Sequence, residues 1–304
     1  MVWVRSMIGW TAAAMLALTT VVHAGAGVPL TPGADGHATV PVFVDGKGPY
    51  PFILDTGADG SAVYAWFARQ ARLAPAPGGD QVLTGQTGSE KVQMYEIGRA
   101  TLDGHAIAHV AAFELPDRRD RGEEAGVLGN DFMDGTLVAF NFPCRRVQLY
   151  PRVDAVRIAG AGAPSVAAGS VPGSTLLTLP VTINGYTGIA ELDTGSRQSR
   201  MTRGFARAAG IHADGAAFRD AAPIYGTSLH PMVPRVGSVG TVSFAGVTLH
   251  DVTMQVVDLP SLEGDFGSRP AMLLGADLLG RYRLLYDHAG HRIWLRPSRC
   301  TAQH

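Results

Sequence analysis

Two stretches of this chain repeat each other over more than a hundred residues, and such a duplication dictates two copies of one folding unit. Val40-Pro41-Val42-Phe43-Val44-Asp45-Gly46 is echoed by Leu179-Pro180-Val181-Thr182-Ile183-Asn184-Gly185. Phe52-Ile53-Leu54-Asp55-Thr56-Gly57-Ala58 is echoed by Ala190-Glu191-Leu192-Asp193-Thr194-Gly195-Ser196. Phe67-Ala68-Arg69 returns as Phe205-Ala206-Arg207, at the offset of 138 residues that separates Asp55 from Asp193. Val127-Leu128-Gly129-Asn130-Asp131-Phe132 then matches Leu273-Leu274-Gly275-Ala276-Asp277-Leu278 at an offset of 146, so the second copy holds extra loop. Val147-Gln148-Leu149-Tyr150-Pro151 against Ile293-Trp294-Leu295-Arg296-Pro297 keeps that second offset. The units expected are 37–152 and 176–298. The stretch 153–175 between them, rich in Ala, Gly, Ser and Pro, reads as a flexible linker.

Each copy reads as β. Val40–Val44 and Leu179–Ile183 are β-rich runs, each followed by a turn (Asp45-Gly46-Lys47-Gly48 or Asn184-Gly185) and a second run that ends at Asp-Thr-Gly. Val63, Phe67 and Ala71 recur every fourth residue, which allows a short helix after the first Asp-Thr-Gly. Further strands are expected near 92–97, 106–113, 242–244 and 252–257. With 38 Gly, 19 Pro and 46% hydrophobic residues, the composition suits turn-rich β structure with a buried core and excludes wholesale disorder. A net charge of −1 gives no basic surplus for nucleic acid or for an anionic membrane surface.

A lone Asp-Thr-Gly carries little information. Two, each closing a hydrophobic strand at the same place in a repeat and each followed by a hydrophobic-hydrophobic-Gly element, point to a paired site. Two carboxyl groups a few ångströms apart share one proton, because both cannot ionise cheaply. The charged member takes a proton from a water held between them, and the neutral member donates to a substrate carbonyl. Amide hydrolysis then needs neither metal nor covalent intermediate. Gly57 and Gly195 allow a tight turn and close approach of other backbone groups. Ser196 offers a hydroxyl to its own carboxylate where Ala58 offers none, so the two acids are expected to differ.

These residues resemble the retropepsin and pepsin group of aspartic proteases, nearest to bacterial exported proteins with two retropepsin-like halves in one chain. Phe52–Asp59 is similar to the retropepsin active-site turn, and Leu192–Ser196 to the pepsin form. Gly126–Gly129 and Leu273–Gly275 resemble the element that passes under each catalytic turn. The resemblance spans about Val40 to Pro297. It implies an all-β fold of two homologous β-barrel lobes with few short helices and an active-site cleft between them. It implies catalytic Asp55 and Asp193, supported by Thr56, Gly57, Thr194, Gly195 and Ser196, with the two threonines locking the turns together across the lobes. It also implies flaps, for which 81–95 and 223–241 are the candidate hairpins. Two positions depart from the retropepsin pattern: Asn130 and Ala276 stand where an Arg usually follows the Gly element. That leaves Asp59 without its usual ion-pair partner. Asp131 and Asp277 read as braces of a short helix.

No cofactor or metal is expected: His105 with His109, and His288 with His291, lack a third ligand at a usual spacing. There is no Gly-x-Ser-x-Gly elbow and no phosphate loop. Arg5, the apolar run 7–22 and Val22-His23-Ala24 read as a signal peptide over 1–24, cut near Gly25. The alternative is an uncleaved anchor, but the run is short of the roughly 20 residues a spanning helix needs. A periplasmic or secreted protein without a stable membrane anchor is therefore expected. In an oxidising compartment Cys144 and Cys300 allow one disulfide, or remain two free thiols. The function expected is aspartic endopeptidase, with a peptide or protein substrate and no need of an oligomer to complete the site. The alternative is a non-catalytic peptide-binding protein that keeps the fold.

Overall fold

A computed structural model describes residues 27–117, 122–171, 173–227, 231–298 and 300. The expected signal peptide and its cleavage site lie outside these residues. Strands take 49% of the structure and helices 14%, an all-β architecture of two closed six-stranded barrels.

In the first lobe the hairpin Ala38–Val44 and Lys47–Leu54 starts the barrel. Gly126–Leu128 pairs parallel to the end of its second strand and antiparallel to Ala62–Tyr64. Ala62–Tyr64 pairs with the long strand His105–Leu115, which forms a hairpin with Met94–Leu102. Met94–Leu102 returns to Ala38–Val44 and closes the barrel. The second lobe repeats this order with Leu177–Ile183, Tyr186–Leu192, Ala271–Leu274, Arg200–Met201, Val247–Val256 and Arg235–Phe244. Inward positions are apolar, as period-two alternation requires. Val40, Val42, Val44, Phe52 and Leu54 fill one barrel; Leu179, Val181, Ile183, Ala190 and Leu192 fill the other.

A third sheet joins the lobes. Its central pair is Thr136–Asn141 against Tyr282–Asp287, antiparallel, flanked by Arg146–Pro151 and Arg292–Pro297. Ala139 pairs with Leu285, and these two residues are equivalents at the offset of 146. A pair that maps onto itself under the duplication marks its twofold axis. One hydrophobic core then runs through both lobes, holding Val138, Phe140 and Val147 with Leu284, Tyr286 and Ile293.

The segment expected to be a linker is built into the fold. Ala155–Ala159 is helical. Val166–Ala167 pairs with Arg292–Ile293, as Val28–Pro29 pairs with Arg146–Val147. Gly169–Ser170 extends the second barrel as Thr31–Pro32 extends the first. The Ala- and Gly-rich composition hid these strands because two residues of edge pairing leave no periodicity to read. The first short helix is Ala65–Ala71, and Val63 belongs to the strand before it. Its counterpart is Arg203–Ala208, capped by Thr202 Oγ1, which accepts from the Phe205 N–H at 3.2 Å. Cys144 and Cys300 are bonded, tying the C-terminal tail to the first half. No helix among the described residues is long and apolar enough to cross a membrane.

Candidate active site

Both Asp-Thr-Gly turns leave the ends of barrel strands and meet at the axis. Each is pinned from below by its hydrophobic-hydrophobic-Gly strand. The Asp55 N–H donates to Leu128 O at 2.9 Å, and the Asp193 N–H to Leu274 O at 3.1 Å. The Asn130 N–H donates to Ala58 O and the Ala276 N–H to Ser196 O, both at 2.8 Å. Gly129 and Gly275 are required by this crossing: a Cβ on either would come within 2.9 Å of the backbone of the turn above.

The threonines lock the two turns together. Thr56 Oγ1 donates to Leu192 O and Thr194 Oγ1 to Leu54 O, each at 2.8 Å. Each hydroxyl also accepts from the other threonine's N–H, at 3.0 and 3.1 Å. All four bonds are buried and cross between the lobes. Replacing Thr56 by the isosteric Val would leave Leu192 O and the Thr194 N–H unpaired. At roughly 1–3 kcal/mol for each buried unsatisfied group, Thr56→Val is expected to lose about 3 kcal/mol of stability in urea unfolding. An unchanged midpoint would show that the lobes do not depend on this lock.

The lock brings the carboxyl groups of Asp55 and Asp193 within hydrogen-bonding reach of each other. Asp55 Oδ1 accepts from the Gly57 N–H at 2.8 Å and, across the axis, from the Gly195 N–H at 3.2 Å. Asp193 Oδ1 accepts from the Ser196 N–H at 2.6 Å. Burial pushes both carboxyls up from the ordinary range. For Asp55 this is opposed by the two glycine N–H groups and by the bond to Asp193. Asp193 rises well above it, because the charge of Asp55 adds to burial. Two like charges this close cannot both form cheaply, so the pair titrates as one unit, with the upward push stronger at Asp193. Both line a cleft of about 780 Å³ between the lobes.

A family model described as aspartyl protease matches residues 40–132 and 179–278, one stretch in each lobe. The chain belongs to the aspartyl protease family. A search among curated proteins finds no match.

This aspartyl protease fold departs from its sequence reading in several contacts. The glycines of the two turns make room for the opposite carboxyl group, not for backbone. A Cβ on Gly57 would fall 2.7 Å from Asp193 Cγ, and one on Gly195 would fall closer still to Asp55. The Ser196 hydroxyl does not reach its carboxylate. It donates to Gln198 O at 3.0 Å and accepts from Arg200 Nη1, so the Ser196 backbone serves Asp193 instead. Asp59 is exposed at the rim of the cleft, where it accepts from Ser174 Oγ and from the Thr175 N–H and Oγ1, between 2.6 and 2.9 Å. Asn130, in the usual Arg position, donates to Thr56 O at 3.2 Å and accepts from Tyr286 OH at 2.7 Å. Asp131 and Asp277 act as braces. Asp131 accepts from Ser61 Oγ at 2.8 Å and Asp277 from Ser199 Oγ at 2.6 Å, equivalent serines at the offset of 138.

The first of the two hairpins expected as flaps forms a separate two-stranded unit. Gln81–Gly85 pairs with Gly88–Val92, and its tip lies over the carboxyl pair: Gln86 Nε2 donates to Asp193 Oδ2 at 3.3 Å. The second-lobe counterpart is irregular and starts earlier than 223: Arg219–Asp220 pairs with Arg235–Val236, the Ala221 N–H donates to Pro234 O and Ile224 bridges Met232, while residues 228–230 lie outside the described residues. Thr227 Oγ1 from that loop donates to Gly88 O at 2.7 Å and holds the flap down. Sequence reasoning assigned no role to three residues here: Gln86, Arg200 and Glu191. Arg200 is 7% exposed and donates to Gln86 Oε1 at 3.0 Å and Gln255 Oε1 at 2.8 Å. The signal was available in the repeat itself, which sets Arg200 against Ala62 and Glu191 against Ile53.

Glu191 is buried, and burial followed by the charges of Asp193 and Asp265 drives its carboxyl well above the ordinary 4.5. A raised folded value means that the unfolded chain ionises first, so stability is lost as pH climbs from about 4.5 toward the folded value. Glu191→Gln escapes that loss. Its thermal midpoint relative to wild type is expected to climb with pH across this window, and a pH-independent difference would contradict the assignment.

The histidine pairs form no ligand set among the described residues. His109 Nδ1 meets Glu96 at 2.6 Å, and His288 meets Asp134 at 3.1 Å and Thr175 O at 2.8 Å. One other group comes together in the first lobe, just ahead of the strands Ala38–Val44 and Gly126–Leu128: Asp35, His37 and Glu124 offer oxygen and nitrogen atoms within 4.8 Å of one another. His37 Nδ1 is hydrogen-bonded to Asp35.

Proposed function

We propose that this chain is an aspartic endopeptidase in which Asp55 and Asp193 activate one water between them. The observation that carries the reading is a cleft between the lobes lined by two carboxyl groups, one from each, with the tip of a flap bonded to one of them. Asp55, the charged member, takes the proton of the water. Asp193, the protonated member, donates to the carbonyl oxygen of the scissile amide, so the tetrahedral intermediate forms with no net charge transfer to solvent. Thr56, Gly57, Thr194, Gly195 and Ser196 fix the two carboxyls in place. The flap strand Gln81–Gly85, whose residues from Val82 on line the cleft, suits an extended peptide that adds as a strand. Entry requires the flap to lift, breaking the Thr227–Gly88 and Gln86–Asp193 bonds. The apolar run at 7–22 and the Cys144–Cys300 bond support a periplasmic or secreted site of action.

The test is digestion of a peptide library by the mature protein from acidic to neutral pH, with and without pepstatin. Cleavage is expected to follow a bell on that side of neutrality, because the base must be charged and the acid protonated. Peptide binding without any cleavage would favour the non-catalytic alternative. An alkaline optimum abolished by a chelator would reject both.

A further inference from the structure

The duplication sets two walls of the cleft in the same register but with different chemistry. In the first lobe Ile53, Val127, Ala62 and Phe113 lie side by side on adjacent strands. In the second lobe the corresponding row is Glu191, Leu273, Arg200 and Gln255. All eight line the cleft. The first row is wholly apolar. The second presents a carboxyl group that the fold leaves unsatisfied: Glu191 is 3% exposed, and its Oε2 has no hydrogen-bond partner.

Arg200 does not supply that partner. Its guanidinium is turned to Gln255, Ser196 and Gln86, beneath the flap. The helix Pro260–Phe266 completes the wall and adds two more acceptors. Ser261 Oγ is buried without a partner, and Asp265 faces the same cleft. The largest charges that act on Glu191 are negative, from the Asp55–Asp193 pair, Asp265 and Asp59. An apolar side chain seated here would leave these oxygens unpaired, and an acidic one would meet like charge. A cationic donor satisfies both demands with charge-assisted hydrogen bonds.

We propose that the second-lobe wall around Glu191 is a pocket for a lysine or arginine side chain of the bound peptide, while the first-lobe wall around Ile53 takes an apolar one. The proposal rests on the reading of this cleft as a peptide site and adds the substrate class. It makes the two flanks of the cleaved bond inequivalent although the lobes are copies.

The experiment uses peptides that differ only at one residue flanking the cleaved bond, carrying Lys, Arg, norleucine or Glu there. Cleavage by the wild-type protein and binding to its Asp55→Asn variant, by fluorescence anisotropy, are both measured. Lys or Arg is expected to exceed norleucine by about tenfold on one flank, and norleucine to exceed Lys on the other. Glu191→Gln, in the wild-type and Asp55→Asn backgrounds alike, should bring the first ratio to within about twofold. Asp265→Asn, on the helix outside the barrel, should lower it in the same direction. The ratio is internal to each protein, so a general loss of rate does not affect it. Equal use of Lys and norleucine by the wild-type protein, or a ratio unmoved by both substitutions, overturns the pocket. Cleavage without any preference would keep the hydrolase and remove the pocket. Binding with the expected ratio but no cleavage would keep the pocket and remove the hydrolase.

Discussion

Asp55→Asn and Asp193→Asn are each expected to lower peptide cleavage by about 10³-fold or more, since a positioned acid or base contributes roughly 10²–10⁴ and the pair acts as one unit. Asn at 55 accepts no proton from the water. Asn at 193 has no acidic proton to give and no charge to share. The two substitutions should differ in a second readout. Asp193 holds its proton well above the ordinary 3.8, through burial and then the charge of Asp55. The unfolded chain gives up that proton first, so the wild type loses stability as pH climbs from about 3.8 toward the folded value. Asp193→Asn is free of that loss and should melt higher than wild type at neutral pH, with the gap closing on acidification. Turnover retained by either pure variant would reject the pair as the catalytic unit. Loss of activity with no pH-dependent gain in the Asp193 variant would mean that its carboxyl is not the strained partner.

Gly195→Ala should be nearly as severe, from a single methyl group. Gly195 is not in the left-handed region, so backbone strain is not the cause. The new Cβ would overlap the Asp55 carboxyl group, which leans across the axis to take the Gly195 N–H. Either the carboxyl swings away or the two turns part and stretch the threonine lock. Misplacement of a reacting group by about 1 Å costs on the order of 10² in rate, and overpacking costs about 1–3 kcal/mol. Cleavage should therefore fall at least about 100-fold while circular dichroism still shows a folded β protein. Gly57→Ala meets Asp193 at 2.7 Å and should follow the same pattern more mildly. Gly46→Ala, where an added Cβ meets nothing within 4 Å, is the control for activity, its own cost being confined to its positive φ of 75°.

The repeat made much of the fold and the site's location legible. Equal spacing of Asp55 and Asp193 within two copies implied a twofold arrangement, and the self-paired Ala139 and Leu285 show where its axis runs. The threonine lock followed from the resemblance and is present bond for bond. Other contacts had no local signature. Ser196 read as the partner of its own carboxylate and Asp59 as an acid without its usual ion-pair partner, yet Arg200 takes the Ser196 hydroxyl and Ser174 and Thr175 donate to Asp59. Those partners come from 4 to 116 residues away, and the distant ones are set by how the lobes dock. The strands Val166–Ala167 and Gly169–Ser170 were hidden for a similar reason: two-residue pairings at a sheet edge have no periodicity, only a neighbour.

The sequence by itself determined two β-rich copies, an acid at the end of the same strand in each, and a glycine element to cross beneath it. Those properties are local or repeat at fixed spacing, and hydrophobic alternation with turn chemistry is enough to write them. Only the tertiary structure decided how unlike the two halves are: which carboxyl is pushed further up, which hairpin reaches the pair, and which wall of the cleft is left with an unsatisfied acid. Each of these depends on burial and on charges brought near from distant positions, and neither burial nor proximity exists until the lobes close on each other.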